Sequence, residues 1–398
     1  MLHSYTFSNV HSFLERTEVS LRLNAKASSR GWERVAPSGQ RLNLAAAVLG
    51  PNAAGKTGLL NPLGFLSWFM RHSFTGLKPE QRLPFEPHFT AKEQPSDFEL
   101  EAEDGSGVVW RYVLRTTVGR VLHEALYRKK ERFSYVFVRD WDDNSKSYVI
   151  KQQDFGLASA EAQKVRPNAS LISTAAQYGV ENARHVSGFR LFTNLHFLGR
   201  KGTNDESLLD AAEFFNSNES HRTDMARLLT SWDLGLQGVE LQEITVPPSS
   251  GQSDATKFWF PLGVHKSKDG GVHQLPFLHE SRGTQAAFVL LSDLLPALAV
   301  GGIALIDEFE NDLHPLMLKP ILELFDSNTT NPYGAQILFT CHSPEVLHML
   351  QKAQVFLVQK SACESSAWRL DSVQGVRSDD NLAAKYLSGA FDAVPRFF

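Results

Sequence analysis

Cysteine is nearly absent from this chain: Cys341 and Cys363 are the only two in 398 residues. Two thiols cannot build a disulfide framework or a four-cysteine zinc site, and they fit a reducing compartment. Long hydrophobic runs are also missing. The longest apolar stretch, LLSDLLPALAVGGIALI, is broken by Asp293, Pro296 and two glycines, so no membrane-spanning segment is expected. Charge of one sign is lacking too. Lys and Arg number 40 against 44 Asp and Glu, a net charge of −4, so no molecule-wide field directs the chain to nucleic acid or to a membrane. The opening MLHSYTFSNVHSFLERTEV is polar throughout and does not read as a secretory signal, which leaves the cytoplasm as the expected location. Sustained heptads, internal repeats and low-complexity segments are absent as well, so no long coiled coil or solenoid is expected.

What is present reads as an α/β protein. Residues 2–10 and 17–25 alternate polar and apolar as paired strands do, and LNLAAAVLG at 42–50 reads as a buried strand. TGLLNPLGFLSWFMRHSF then reads as a helix, with Pro62 in its first turns or at a kink. Residues 78–96 are punctuated by proline and read as loop. From 97 to 151, alternating runs separated by turn residues predict a meander of five or six antiparallel strands. Residues 158–230 read as mostly helical. Residues 238–265 return to strands, with PPSSGQSD as a flexible turn between them. In the last third the order strand–helix–strand–helix–strand predicts a parallel sheet.

Four stretches carry chemistry. GPNAAGKT, from Gly50 to Thr57, fits G-x-x-x-x-G-K-[ST] between a strand and a helix, the context that a phosphate loop needs. Gly50 and Gly55 let backbone N–H groups turn onto phosphates, and the helix start adds its positive end. Lys56 would reach the β- and γ-phosphates, and Thr57 would put a hydroxyl on Mg²⁺. GGIALIDEFEN, residues 301–311, runs a buried strand into Asp307 and Glu308. Side chains alternate along a strand, so Asp307 can serve a metal while Glu308 polarises water; a solvated acidic loop is the plain alternative. LHESRGTQ at 278–285 precedes a helix. Ser281, with the backbone of Gly283 and Thr284, could bind an anion there, while local chemistry alone describes a serine N-cap. LFTCHSPEVL at 338–347 places His342 directly after a buried strand, where it could meet a γ-phosphate or serve structure alone.

These motifs, in this order and with a long insertion after the first, resemble the ABC-type ATPases, closest to the compact relatives of the SMC and recombination ATPases. More narrowly the chain resembles the RloA and abortive-infection AbiL group of prokaryotic defence ATPases, with relatives of the PARIS-system ATPase. IDEFENDLHP resembles that group's acidic-then-Leu-His-Pro signature, and VRSDDNLAAKYLSGAFDAVP its Arg-x-Asp to Pro ending. The resemblance implies an α/β fold: an ABC-type P-loop head assembled from N- and C-terminal parts, with an inserted antiparallel β-meander and helical middle region. It divides the chain into 1–75, 76–270 and 271–398.

Carried over by residue, the resemblance makes Gly50, Pro51, Asn52, Ala53, Ala54, Gly55, Lys56, Thr57 and Gly58 the ATP-binding loop and its first helical turn. Thr57 and Asp307 become the Mg²⁺ partners, Glu308 the catalytic base, Lys56 a further catalytic residue and His342 the switch histidine. Ser281, Gly283 and Thr284 become the signature that completes ATP bound to a second subunit. Asn311 and Asp312 fall in the D-loop. Arg282 stands where ABC signatures keep a small residue, and Gln81 and Gln94 are both candidates for the Q-loop glutamine. The function implied is slow, switch-like ATP hydrolysis in an ATP-linked homodimer or higher homo-oligomer. That assembly would be the sensor ATPase of an anti-phage system with a separate effector encoded nearby, such as a nuclease. The alternatives are a DNA-binding repair or recombination ATPase and a degenerate nucleotide-binding scaffold. YRKKERF at 127–133, with Arg120 and Arg139, is a local basic cluster that could touch nucleic-acid phosphates, or a solvated strand face.

Overall fold

The computed structural model describes residues 1–24, 31–196, 199–246, 256–377 and 379–394. The turn expected at 247–254 lies outside them, as do Ser378 and Pro395 of the tail.

The strands and helices that frame the site are, in chain order, β1 (Leu2–Ser8), β2 (Thr17–Ser20), β3 (Ala45–Leu49), α1 (Lys56–Gly76) and the meander β4 (Ser96–Glu103), β5 (Val109–Thr116), β6 (Val121–Lys129), β7 (Phe133–Asp142) and β8 (Ser147–Gln152). Then come α2 (Leu171–Gln177), β9 (Leu191–Thr193), α3 (Asp205–Ser217), α4 (Glu219–Ser231), β10 (Gly238–Val246), β11 (Thr256–Lys266) and β12 (Val272–Pro276). The chain closes with α5 (Arg282–Val300), β13 (Ile303–Ile306), α6 (Leu318–Asp326), β14 (Gln336–Thr340), β15 (Val355–Ser361) and β16 (Glu364–Arg369).

Two sheets organise these elements. One has the order β9-β13-β14-β3-β15-β16, parallel except for its last pair. It is buried on both faces, as parallel sheets are. Alternation along its strands sends Ala45, Ala47 and Leu49 into one core, with Phe288, Leu291 and Phe325, and sends Ala46 and Val48 into the other, with Leu59, Leu63 and Phe69 of α1. Pro62 lies inside α1 without ending it.

The second sheet is antiparallel, β8-β7-β6-β5-β4-β1-β2. The meander has five strands, and β4 pairs with β1, so it extends the N-terminal sheet directly. β10, β11 and β12 form a separate three-stranded sheet. The 19-residue α5 is long and apolar enough to cross a membrane by length and composition, but about half of it is buried in the protein. Its core contacts include Phe215 of α3, whose ring lies 5.1 Å from that of Phe288.

Helix starts and stops follow from local chemistry. Ser281 caps α5 by accepting from the Thr284 N–H at 3.2 Å, and Gly301 ends it in the left-handed conformation at φ 68°. The segments at 315–317 and 344–348 each begin with proline and form 3-10 turns, where the sequence reads as helix.

One member of the basic cluster belongs to the interior. Arg139 is fully buried and cannot meet a nucleic-acid phosphate. It donates to the carbonyls of Ala169 (2.8 Å), Val165 (3.0 Å) and Arg166 (2.9 Å) and stands 3.4 Å from the buried Glu124 carboxylate. Glu124 in turn accepts from Tyr112, Ser170 and the Leu171 N–H, which fixes the start of α2 against the meander. Removing one partner of a buried ion pair leaves an uncompensated charge. Arg139→Leu is therefore expected to lower unfolding free energy by about 3–5 kcal/mol in a urea titration.

Candidate nucleotide site

The site forms at the C-terminal ends of β3, β13 and β14, where β3 passes into the glycine loop before α1. Backbone demands fix that loop. A Cβ on Gly50 would stand 2.2 Å from the Val358 carbonyl oxygen. One on Gly55, held at φ 109°, would stand 2.7 Å from Ser365 Oγ. Ala53 holds a left-handed φ of 59°, and the Ala54 carbonyl accepts from Ser365 Oγ at 2.6 Å. Pro51 is half-buried and Asn52 exposed on the loop, and Gly58 passes over the Phe13 ring. Among the described residues no side chain caps the start of α1 and no acidic residue stands in its first turn. The N–H groups there are free to meet an anion.

Side chains far apart in sequence converge on this loop. Asn52, Ala53, Gly55, Lys56, Thr57, Asp307, Glu308, Glu310, Asn311, Thr340 and His342 line one cleft of 800 Å³. Lys56 Nζ donates to the carbonyls of Gly50 (2.9 Å) and Pro51 (3.1 Å) and lies 3.3 Å from His342 Nδ1. Burial pushes the Lys56 ammonium below its ordinary pKa, against the opposing pull of Asp307, Glu310 and Glu308. Thr57 Oγ1 donates to Asp307 Oδ2 at 2.9 Å. A magnesium ion takes oxygen ligands, and this hydroxyl–carboxylate pair on the cleft wall is a fitting donor set for one.

The remaining sequence candidates lie elsewhere. Ser281 is exposed at the start of α5, and Ser281, Gly283 and Thr284 line no part of the cleft. Gly283 packs on the segment after the acidic strand end: a Cβ there would sit 3.0 Å from the Asp312 carbonyl oxygen. Arg282 is exposed and donates to Gln285 Oε1 at 3.2 Å, so its bulk lies clear of the turn. Neither Gln81 nor Gln94 lines the cleft. Gln81 Oε1 instead accepts from the Lys78 N–H at 2.6 Å.

Three further residues hold the site, none of them assigned a role from the sequence. Thr340 Oγ1 donates to Asp307 Oδ1 at 2.6 Å and accepts from the Glu308 N–H at 2.7 Å. Asn194 pairs with the backbone of Asp307, accepting from its N–H at 2.8 Å and donating to its carbonyl at 2.9 Å. Glu310 accepts the His342 N–H. Thr340 and Glu310 fall inside motifs and were visible as neighbours; Asn194 stands in no pattern.

A glycine loop between strand and helix, facing an acidic strand end and a histidine, defines a P-loop ATPase. The chain belongs to the family described as "AAA domain, putative AbiEii toxin, Type IV TA system", whose match spans residues 45–348, from the loop strand through His342. Among solved structures, an SMC head bound to the C-winged helix domain of ScpA is similar over 94% of this chain and 99% of that one, at 11% identity and a TM-score of 0.47. The recombination mediator RecF with ATPrS is similar over 92% and 98%, at 12% identity and a TM-score of 0.33. No curated protein matches the sequence.

Thr340→Val keeps shape and removes the hydroxyl that serves both acidic residues. Orphaning a buried polar partner costs about 1–3 kcal/mol. The expected outcome is a loss of that size in thermal or urea stability, with weaker Mg²⁺-dependent binding of a fluorescent ATP analogue.

Proposed function

We propose that the chain is an ABC-type ATPase that hydrolyses ATP at a head-to-tail joint between two copies. In this reading it is the sensor subunit of an anti-phage, abortive-infection-like system of the RloA, AbiL and PARIS kind, acting through a separate effector. The family's toxin–antitoxin description supports the defence setting. One observation carries the two-copy reading. The loop, the acidic strand end and His342 share a cleft, while Ser281 stands exposed at a helix start outside it, with Gly283 half-buried and Thr284 buried behind it. An anion-binding turn that does not serve its own cleft is free to close another's.

The chemistry is in-line attack of water on the γ-phosphate, giving ADP and phosphate. The amides of residues 50–58 and the Lys56 ammonium hold the phosphates, and Lys56 offsets charge as it moves to the leaving oxygen. Glu308 takes the proton from the attacking water. His342, beside Lys56, contacts the γ-phosphate. Thr57 and Asp307 would hold Mg²⁺, which when bound would supply charge neutralisation on the phosphate oxygens. The Ser281 hydroxyl and the Gly283 amide of the second copy complete the donor shell, and Thr284, whose N–H is held by Ser281 Oγ, orders the turn. Cleavage then weakens the joint, which makes the pair a switch.

Three measurements test this. Glu308→Gln is expected to elute as a dimer in gel filtration with ATP and as a monomer without it; an ATP-independent monomer sinks the two-copy reading. Hydrolysis present in the native chain and lost in Lys56→Ala excludes a degenerate scaffold. A stable co-purifying protein of unrelated sequence supports the effector. The exposed turn Lys129, Lys130 and Arg132 supports the repair or recombination alternative, which DNA-stimulated hydrolysis would favour.

A further inference from the structure

Among the described residues, Glu308 is the one acidic residue lining the cleft that forms an ion pair with a side chain outside it. It follows β13 with a left-handed φ of 49°. Its Oε2 lies 3.2 Å from Arg200 Nη2. Arg200 does not border the nucleotide cleft, but with Glu308, Asn194 and Asn311 it lines a small adjoining cavity of 60 Å³. Glu308 thus stands in the wall between two spaces, and the guanidinium holds it from the outer side. The pair is half-exposed, with 25% of the Arg200 and 42% of the Glu308 side chain open to solvent.

The segment bearing Arg200 is tied to the acidic strand at one end and to the insertion at the other. Thr193 Oγ1 donates to the Leu305 carbonyl at 2.7 Å, Asn194 grips the Asp307 backbone, and the Lys201 N–H returns to the Asn194 carbonyl at 2.7 Å. Four residues later the chain enters α3 through a capping box at Asn204. α3 rests on α5 through Phe215 and Phe288. Ser281 starts α5, so one continuous path links the outer holder of Glu308 to the exposed signature turn.

We propose that Arg200 is a positioning residue that restrains Glu308. While the ion pair stands, the carboxylate lone pairs are engaged by the guanidinium and are poorly placed to take a proton from water. Hydrolysis then requires the pair to open, and movement of α3 and α5 on closure of a second copy over the cleft is the event that opens it. This rests on the reading of the cleft as an ATP hydrolase with Glu308 as base.

The test is steady-state ATP hydrolysis at saturating Mg²⁺ and ATP, comparing the native chain with Arg200→Ala, Arg200→Gln and Arg200→Lys. A partly exposed pair restrains weakly, so Arg200→Ala and Arg200→Gln are expected to raise kcat about two- to fivefold with little change in KM. Arg200→Lys, which keeps the charge, is expected to stay near native. Salt screens half-exposed pairs, so native kcat should rise with ionic strength while that of Arg200→Ala should not. A kcat for folded Arg200→Ala or Arg200→Gln at or below native overturns the proposal, and so does an equal salt response in all variants. Native turnover that Lys56→Ala abolishes secures the hydrolase reading independently. If neither the native chain nor any Arg200 variant turns over ATP, that reading fails and takes this proposal with it.

Discussion

A single hydroxyl holds the acidic half of the site together. Thr340 Oγ1 gives its proton to Asp307 and receives the N–H of Glu308. Glu308 itself is left-handed, a conformation that costs a non-glycine residue free energy and needs surrounding contacts to over-determine it, and the Thr340 bond is one of those contacts. With one oxygen fixed by Thr340, the other Asp307 oxygen is left for Thr57. The bond from the glycine loop to the acidic strand, spanning 250 residues of sequence, is therefore set by a third strand.

That third strand, β14, does the same service at its other end. Gln336 accepts the Leu2 N–H at 2.6 Å and donates to the carbonyls of Leu2 and Asn43, both at 3.0 Å, and it is itself buried. These bonds tie the antiparallel sheet, through β1, to the parallel one. β14 lies between β3 and β13 in the sheet, so its two polar ends fix both the layer stacking and the spacing of the cleft walls. The alanines of β3 matter for the same reason. A strand flanked on both sides and covered on both faces leaves room for small residues at its centre, and α1 can then pack close enough to present its first turn to the cleft.

The local parts of this arrangement were legible in the sequence and the non-local parts were not. Glycine spacing and the strand-to-helix context announce the loop because φ at Gly55 and the close approach at Gly50 admit little else. The five-strand meander was visible from alternation, but its pairing with β1, ninety-odd residues upstream, leaves no mark in either segment. β9 was missed. It is three half-buried residues whose only strand neighbour among the described residues is β13, too short to show a period, yet it delivers Asn194 and leads to Arg200. Arg139 misled in the opposite direction. The basic residues grouped with it at 128–132 are mostly exposed, and only the fold reveals the carbonyls of 165, 166 and 169 that enclose it.

Gly283 shows how one residue answers two demands. Glycine in an anion-binding turn is usually explained by the ligand's need for bare amides. At position 283 the backbone packs against the chain's own 311–312 segment, where a Cβ would press within 3.0 Å of the Asp312 carbonyl. Asp312 itself is left-handed at φ 61°, and Asn311 beside it lines the nucleotide cleft. The turn and the cleft wall are thus in contact through two residues of backbone with little slack. A side chain at 283 would require the Asp312 carbonyl to give way by a few tenths of an ångström even in an isolated copy. Arg282 is exposed and its guanidinium donates to Gln285 Oε1, away from the Asp312 carbonyl that faces position 283. The large residue at 282 and the bare one at 283 are therefore consistent with a single turn that packs inward through its backbone and presents Ser281 outward.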